Sequence, residues 1–222
     1  MKKVLAFDVY GTLIDTQGVI TLLEEFVGNN ALQFSNAWRA KQLEYSFRKG
    51  LMNCYEPFST CTLQALNYCC DSLDITLSLD QKNALMNSYT QLPAFGDVDE
   101  ALTELSDNFS LVAFSNGETD AVEQLLKNAN IRKYFSEVIS AEEVKTFKPS
   151  PIIYQHLLSR MASTAENTWL VSSNPFDVIG AKAQQINAAW VKRSALNVND
   201  PWGVEPDITI SQLGELNQLI ID

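Results

Sequence analysis

The chain has no run of eighteen or more apolar residues, so it offers no membrane-spanning helix and no membrane partner is expected. Basic residues are scarce. Against 27 Asp and Glu stand 16 Lys and Arg, a formal net charge of −11. A nucleic-acid binder would carry a basic face, and this balance argues against one. The four cysteines, Cys54, Cys61, Cys69 and Cys70, have no CxxC spacing and no histidine near them. That argues against a zinc site and for buried free thiols. There is no internal repeat and no low-complexity segment. The opening MKKVLAFDVYG is short in apolar length and meets a carboxylate at Asp8, so it reads as a first strand and not as a secretory signal. A reducing cytoplasm is the expected compartment.

What is there is a chain of 222 residues, 46% of them apolar, enough for one core with a sizeable insertion. Short apolar runs read as strands at Lys3–Asp8, 110–115, 136–140, 168–173, 188–193 and 207–210. Between them, residues 97–107, 118–130, 150–161 and 175–185 repeat their apolar positions at helical spacing. Ser150 is expected to cap the third of these, with Pro151 at its first position, and Pro175 opens the fourth. Alternating strands and helices predict a parallel sheet with helices on both faces. Residues 16–92 break the alternation. They are helical by apolar spacing at about 17–28, 31–50, 58–73 and 78–91. The expected organisation is an α/β core of residues 1–15 and 93–222, with an inserted helical cap of residues 16–92. Pro93 and Gly96 punctuate the return and can flank a hinge.

In an open α/β sheet, chemistry collects at the carboxyl ends of the strands. Here those ends carry Asp8, then Ser115-Asn116-Gly117, then the loop with Lys148-Pro149, then Ser172-Ser173-Asn174 with Asp177 three residues on. Each alone has an ordinary reading as a turn, a helix cap or a solvated lysine. Four in order at four strand ends point to one site.

The pattern resembles the haloacid dehalogenase superfamily, with Asp8-Val9-Tyr10-Gly11-Thr12 as the "DxxGT" turn, Ser115, Lys148 and Asp177 as the remaining marks. Most of that superfamily are magnesium-dependent phosphatases, which carry a second Asp where this chain has Tyr10, and a "GDxxxD"-like motif where it has Ser172-Ser173-Asn174-Pro175-Phe176-Asp177. Loss of two carboxylates weakens a Mg²⁺ site. Both departures are similar to the L-2-haloacid dehalogenase branch. So is Trp38-Arg39-Ala40-Lys41-Gln42-Leu43-Glu44-Tyr45 within the cap. The resemblance covers the whole chain and implies a Rossmann-like parallel core with an all-helical cap.

It also implies a reaction. Asp8 would attack C2 of a short L-2-haloalkanoate, expel halide and form an ester; water would then attack the Asp8 carbonyl carbon, giving the D-2-hydroxy acid with one inversion. No metal and no cofactor is implied. Lys148 would orient Asp8 and support its charge, and Thr12 with the turn amides would hold its second oxygen. Arg39 would supply positive charge to the departing halide. Ser115 and the Asn116 amide would bind the substrate carboxylate. Asp177 would activate water, oriented by Asn174 and Ser172, with Tyr154 bonding in the same network. Tyr10, Leu43, Phe58 and Phe176 are candidate apolar walls. His156, the sole histidine, lies on another helix face from Tyr154 and is given no part. Relatives are commonly dimers, so a homodimer is expected. Three alternatives remain: a drifted Mg²⁺-dependent phosphatase, a non-catalytic binding protein keeping the fold, and a dehalogenase by lineage with a different physiological substrate.

Overall fold

The computed structural model describes residues 2–221. Its strands are β1 (Val4–Asp8), β2 (Ser110–Ser115), β3 (Glu137–Ser140), β4 (Thr168–Ser172), β5 (Asn187–Val191) and β6 (Ile208–Ile210). They form one parallel sheet in the order β3-β2-β1-β4-β5-β6. Phe7 lies level with Ala113 on one side and Val171 on the other, so β1 is central and all five of its residues are buried.

Between β1 and β2 come α1 (Gly18–Val27), α2 (Ala31–Leu51), α3 (Phe58–Ser72), α4 (Leu79–Ser88) and α5 (Val98–Asn108). The later helices are α6 (Thr119–Asn128), α7 (Pro151–Arg160), α8 (Pro175–Ala183) and α9 (Leu216–Ile221). Successive strand residues point to opposite faces. Leu5 and Phe7 accordingly join one core cluster with Leu105 of α5, Leu126 of α6 and Leu216 of α9. Val4 and Ala6 join the other with Ile153 and Leu157 of α7 and Val178 and Ala181 of α8. Burying each of the Leu, Ile, Val and Phe side chains among these stabilises the fold by about 1.5–3 kcal/mol.

The helices α1–α4 pack on one another around Leu23, Phe34, Trp38, Leu66 and Leu85, all buried. Their hydrophobic interior runs on into the first sheet cluster. Where the chain leaves for α1 and returns to α5, its two limbs are tied together. The Asp15 amide donates to the Pro93 carbonyl at 2.8 Å and the Phe95 amide to the Leu13 carbonyl at 3.0 Å. Among the described residues, no helix is long and apolar enough to cross a membrane.

Two expectations need correction. Cys54 is exposed, whereas Cys61, Cys69 and Cys70 are buried as free thiols; burial pushes the Cys69 thiol up to about 11. Ser150 stands at the N-cap position of α7 but its side chain makes no capping bond; the Ile153 amide, one of those a cap would serve, donates instead to the Ser150 backbone carbonyl at 3.2 Å. The short α9 was not expected: six residues hold less than two turns of apolar spacing.

Candidate active site

In the observed strand order the direction of crossover changes on either side of β1, so a crevice opens at its carboxyl end. Asp8 is the last residue of β1, Ser115 the last of β2 and Ser172 the last of β4. Gly11 follows at φ +83°, a conformation that glycine adopts without strain, and the turn returns Thr12 to Asp8.

The two oxygens of Asp8 have different surroundings. Oδ2 accepts from the Asn174 side-chain amide at 2.7 Å, the Thr12 hydroxyl at 2.9 Å and the Ser172 hydroxyl at 3.3 Å. Among the described residues, Oδ1 faces one donor, the Lys148 ammonium, at 3.2 Å. Asp8 itself is 7% exposed. Lys148 is buried, and its Nζ also donates to the Phe114 carbonyl at 2.8 Å and to Asp177 Oδ2 at 2.8 Å. A buried ammonium needs such partners. The backbone amide of Lys148 donates to Asn116 Oδ1 at 2.8 Å, which fixes the loop that carries it.

Asp177 is fully buried in the first turn of α8. Its Oδ1 accepts from the Tyr154 hydroxyl at 2.7 Å and its Oδ2 from Lys148. Burial raises its pKa, Lys148 opposes that shift, and the Asp8 charge adds to it. Gly180, one turn on, makes the approach of Tyr154 possible: a Cβ there would overlap the Tyr154 hydroxyl and stand 2.8 Å from Cβ of Pro149. The expectation that Asn174 and Ser172 orient Asp177 is corrected here. Both serve Asp8, and Tyr154 with Lys148 holds Asp177.

Ser115 is buried, with its Oγ accepting from the Gly117 amide at 3.1 Å. The Gly117 carbonyl in turn accepts from Ser140 at 2.6 Å. Tyr10 packs edge-on to Tyr89, and its carbonyl accepts from Asn174. Burial, with the Glu118 carboxylate next in effect, pushes its phenol well above the ordinary value.

Arg39 comes from α2. Trp38 and Gln42, four residues apart, anchor that helix: the indole donates to the Thr62 carbonyl at 2.8 Å and the amide to the Tyr89 hydroxyl at 2.9 Å. The neighbouring stripe, Arg39, Leu43 and Phe47, then shares one line along the helix. Arg39 reaches Asn174 Oδ1 at 3.5 Å, and Phe47 packs edge-on to Phe176 with ring centres 5.1 Å apart. Leu43 lies between them on the stripe and is half-buried. Phe58 is buried against Phe147 and Phe176 lines an apolar cavity with Phe47, Leu51 and Trp202. His156 is apart from all of this, 2.9 Å from Glu143.

Several contributors escaped the sequence reading. Ser173 donates from its amide to Thr12 Oγ1 at 2.9 Å and from its hydroxyl to the Gly11 carbonyl at 2.7 Å. Its place beside Ser172 was the available signal. Arg193 and Trp190 also hold the turn that follows Asp8 and the Ser173 loop, and a strand tail gives no hint of that. A cavity of about 610 Å³ opens beside Arg39, Ser173, Asn174, Trp190 and Arg193.

A family model of haloacid dehalogenase-like hydrolases matches residues 2–184. The chain is 36% identical to (S)-2-haloacid dehalogenase 2 of Pseudomonas sp. (strain CBS-3), over 97% of this chain and 94% of that one. It is 32% identical to haloacetate dehalogenase H-2 of Moraxella sp. (strain B), over 99% of each. The L-2-haloacid dehalogenase of Xanthobacter autotrophicus, solved with chloropropionic acid covalently bound, superimposes with a TM-score of 0.93 at 29% identity, covering 100% of this chain and 99% of that one.

Proposed function

The chain belongs to the haloacid dehalogenase-like hydrolases, on the L-2-haloacid dehalogenase branch, and we propose that it hydrolyses short L-2-haloalkanoates to D-2-hydroxy acids through an ester on Asp8. The asymmetry of the Asp8 carboxylate carries this reading. Among the described residues, Oδ2 accepts from three donors, whereas Oδ1 has Lys148 alone. Oδ1 is therefore the oxygen that attacks C2, as the carbon–halogen bond breaks and the halide leaves with the bonding pair. Oδ2 becomes the ester carbonyl oxygen and stays among Asn174, Thr12 and Ser172.

Water then attacks the Asp8 carbonyl carbon. Negative charge develops on Oδ2, where those donors already point, so little reorganisation is needed. Asp177 takes the water's proton; its burial makes it a stronger base than an exposed carboxylate. The bond between the Asp8 carbonyl carbon and Oδ1 breaks, and the departing oxygen takes the proton back from Asp177 to become the product hydroxyl. The second water proton passes to solvent, and Asp8 is regenerated as a carboxylate, C2 having inverted once in the first step. Arg39 stabilises the departing halide. Ser115 and the Asn116 amide bind the substrate carboxylate, and Tyr10, Leu43, Phe58 and Phe176 enclose the alkyl part. The Lys148 ammonium occupies the space between the two carboxylates, and at position 10 a phenol stands where a phosphatase carries its acid.

The chain works in this reading as a homodimer in a reducing cytoplasm. Exposed Leu51 and Met52 at the end of α2 and Leu63 and Tyr68 on α3, with four unpaired thiols, support it; light scattering tests the assembly.

The decisive assay follows halide release from L- and D-2-chloropropionate with EDTA present, beside p-nitrophenyl phosphate hydrolysis with Mg²⁺. Chloride from the L-isomer alone is expected. Phosphate release without chloride would replace this reading by the phosphatase one.

A further inference from the structure

We propose that Arg193, together with Asp97, is a positioning residue for the nucleophile: the pair holds the Thr12 peptide so that the Thr12 hydroxyl presents its proton to Asp8. This rests on Asp8 being the nucleophile as read above. Arg193 stands two residues beyond the end of β5. Its Nε and Nη2 both donate to the Thr12 carbonyl, at 3.0 and 2.7 Å. Its Nη1 donates to both oxygens of Asp97 at 2.8 Å each, and the guanidinium lies over the Phe95 ring, 4.3 Å from its centre. Asp97 is held in its turn by the Leu213 amide at 2.8 Å. The Arg193 side chain is only 10% exposed.

A carbonyl that accepts two N–H groups from one guanidinium is fixed in plane and in direction, and charge strengthens both bonds. Thr12 needs that precision more than its neighbours do. Its hydroxyl donates to Asp8 Oδ2 and accepts from the Ser173 amide, both at 2.9 Å. Rotation of the Thr12 peptide would swing the hydroxyl out of line with Oδ2, at the oxygen where charge develops during ester hydrolysis. A fold-stabilising arginine has no need to aim both of its remaining nitrogens at one turn carbonyl. Asp97 and Phe95 belong to the limb that returns from α4, so the brace also ties the nucleophile turn to the segment that carries the helical insertion.

The test is Arg193→Ala, with Arg193→Lys and Asp97→Asn beside it, assayed on L-2-chloropropionate and by thermal melting. For folded Arg193→Ala, kcat should fall about 10- to 100-fold with KM within about threefold, as for a small misplacement of a reacting group. Arg193→Lys should not recover, because one ammonium cannot reproduce the fork to Thr12 and Asp97 together. The 610 Å³ cavity reaches Arg193. Guanidinium at about 10 mM should therefore restore kcat of Arg193→Ala by about fivefold or more, and methylammonium should not, since the planar fork is the feature lost. A folded Arg193→Ala with wild-type kcat, or equal rescue by the two cations, overturns the proposal. If that variant does not fold, Asp97→Asn decides: a fall in kcat of about three- to tenfold at unchanged KM is expected for the weakened brace, and an unchanged kcat overturns it. Wild-type enzyme that releases no chloride overturns both the dehalogenase reading and this one. Chloride release by wild type with unaltered variants overturns the brace alone.

Discussion

The two sides of the site are built to different tolerances. On the sheet side, among the described residues, Asp8 is touched by four donors and Asp177 by two, and these groups sit at strand ends, in the turn and loops that follow them, or on α7 and α8. On the insertion side, Arg39 reaches the same site through one contact of 3.5 Å, at the long limit of a hydrogen bond. The dense side suits the steps that every substrate shares, attack and ester hydrolysis, which need fixed geometry. The sparse side suits the halide and the alkyl group, which vary between substrates. Preorganisation belongs where the chemistry is constant.

If this division is right, damage to the sheet side should be greatest and least dependent on substrate. Asp8→Asn keeps shape but removes the nucleophile. Halide release should fall by about four orders of magnitude or more, with melting little changed. Retained release would remove Asp8 from that role. Asp177→Asn should stop the cycle halfway. One halide per site is released rapidly, then almost none, and intact-mass measurement finds the protein heavier by the substrate without its halogen. Equal loss of burst and steady state would place Asp177 before the ester instead. In the wild type, Asp177 must be ionised to accept a proton. Its raised pKa therefore moves the acid limb of kcat above the ordinary carboxylate value of about 4, the rate falling as pH falls through that limb.

The insertion side should give a smaller and more substrate-dependent effect. Arg39→Lys keeps the charge but loses the planar donor set. kcat/KM should fall by about 100-fold, the scale of one lost transition-state donor, and by different factors for chloride and bromide leaving groups. An identical factor for both would mean that Arg39 acts before the halide departs. Gly180→Ala probes the sheet side from behind. Its methyl would displace Tyr154 from Asp177, costing about 1–3 kcal/mol of overpacking and about tenfold in kcat through misplacement of the base. Melting and turnover together distinguish this from a change tolerated by small shifts of Tyr154.

The same contrast governs how much was legible in the sequence. The sheet side was readable because a parallel strand announces itself as an apolar run that stops, and Asp8, Ser115, Ser172 and Asn174 stand where the runs stop. Lys148 and Asp177 followed from the helices beginning at Pro151 and Pro175. What held these groups was not readable. Ser172 and Asn174 turn to Asp8 and leave Asp177 to Tyr154, a choice made by side-chain direction and not by spacing. Arg193 lies 181 residues from Thr12 and Asp97 lies 96 from Arg193, so no local pattern links them. Arg39 carried a signal only through the resemblance of its helix, because apolar and polar residues are mixed along α2 and its contact with α8 is decided by packing. Phe58 and Phe176 show the limit from the other direction. Each packs on another ring, Phe147 and Phe47, and the letter of an aromatic residue near a motif does not say whether its other face meets substrate.

The smallest expected effect tests the field around both sides. The chain carries a formal net charge of −11 and its substrate is an anion. Arg39 and Lys148 must attract that anion locally against the repulsion of the rest. Repulsion acts over the longer distance, so salt should weaken it first: the screening length shrinks from about 30 Å at 0.01 M to about 10 Å at 0.1 M. KM for L-2-chloropropionate should therefore drop by about two- to threefold across that range, while kcat, set by contacts too close and too buried to be screened, stays level. Sodium sulfate is the salt to use, since an added halide would compete as product. A KM that is constant or rises with salt would mean that the positive groups outweigh the surface charge even at the mouth of the site. A kcat that moves with salt would mean that the sheet side is wetter than its hydrogen bonds imply, and the contrast drawn between the two sides would fail with it.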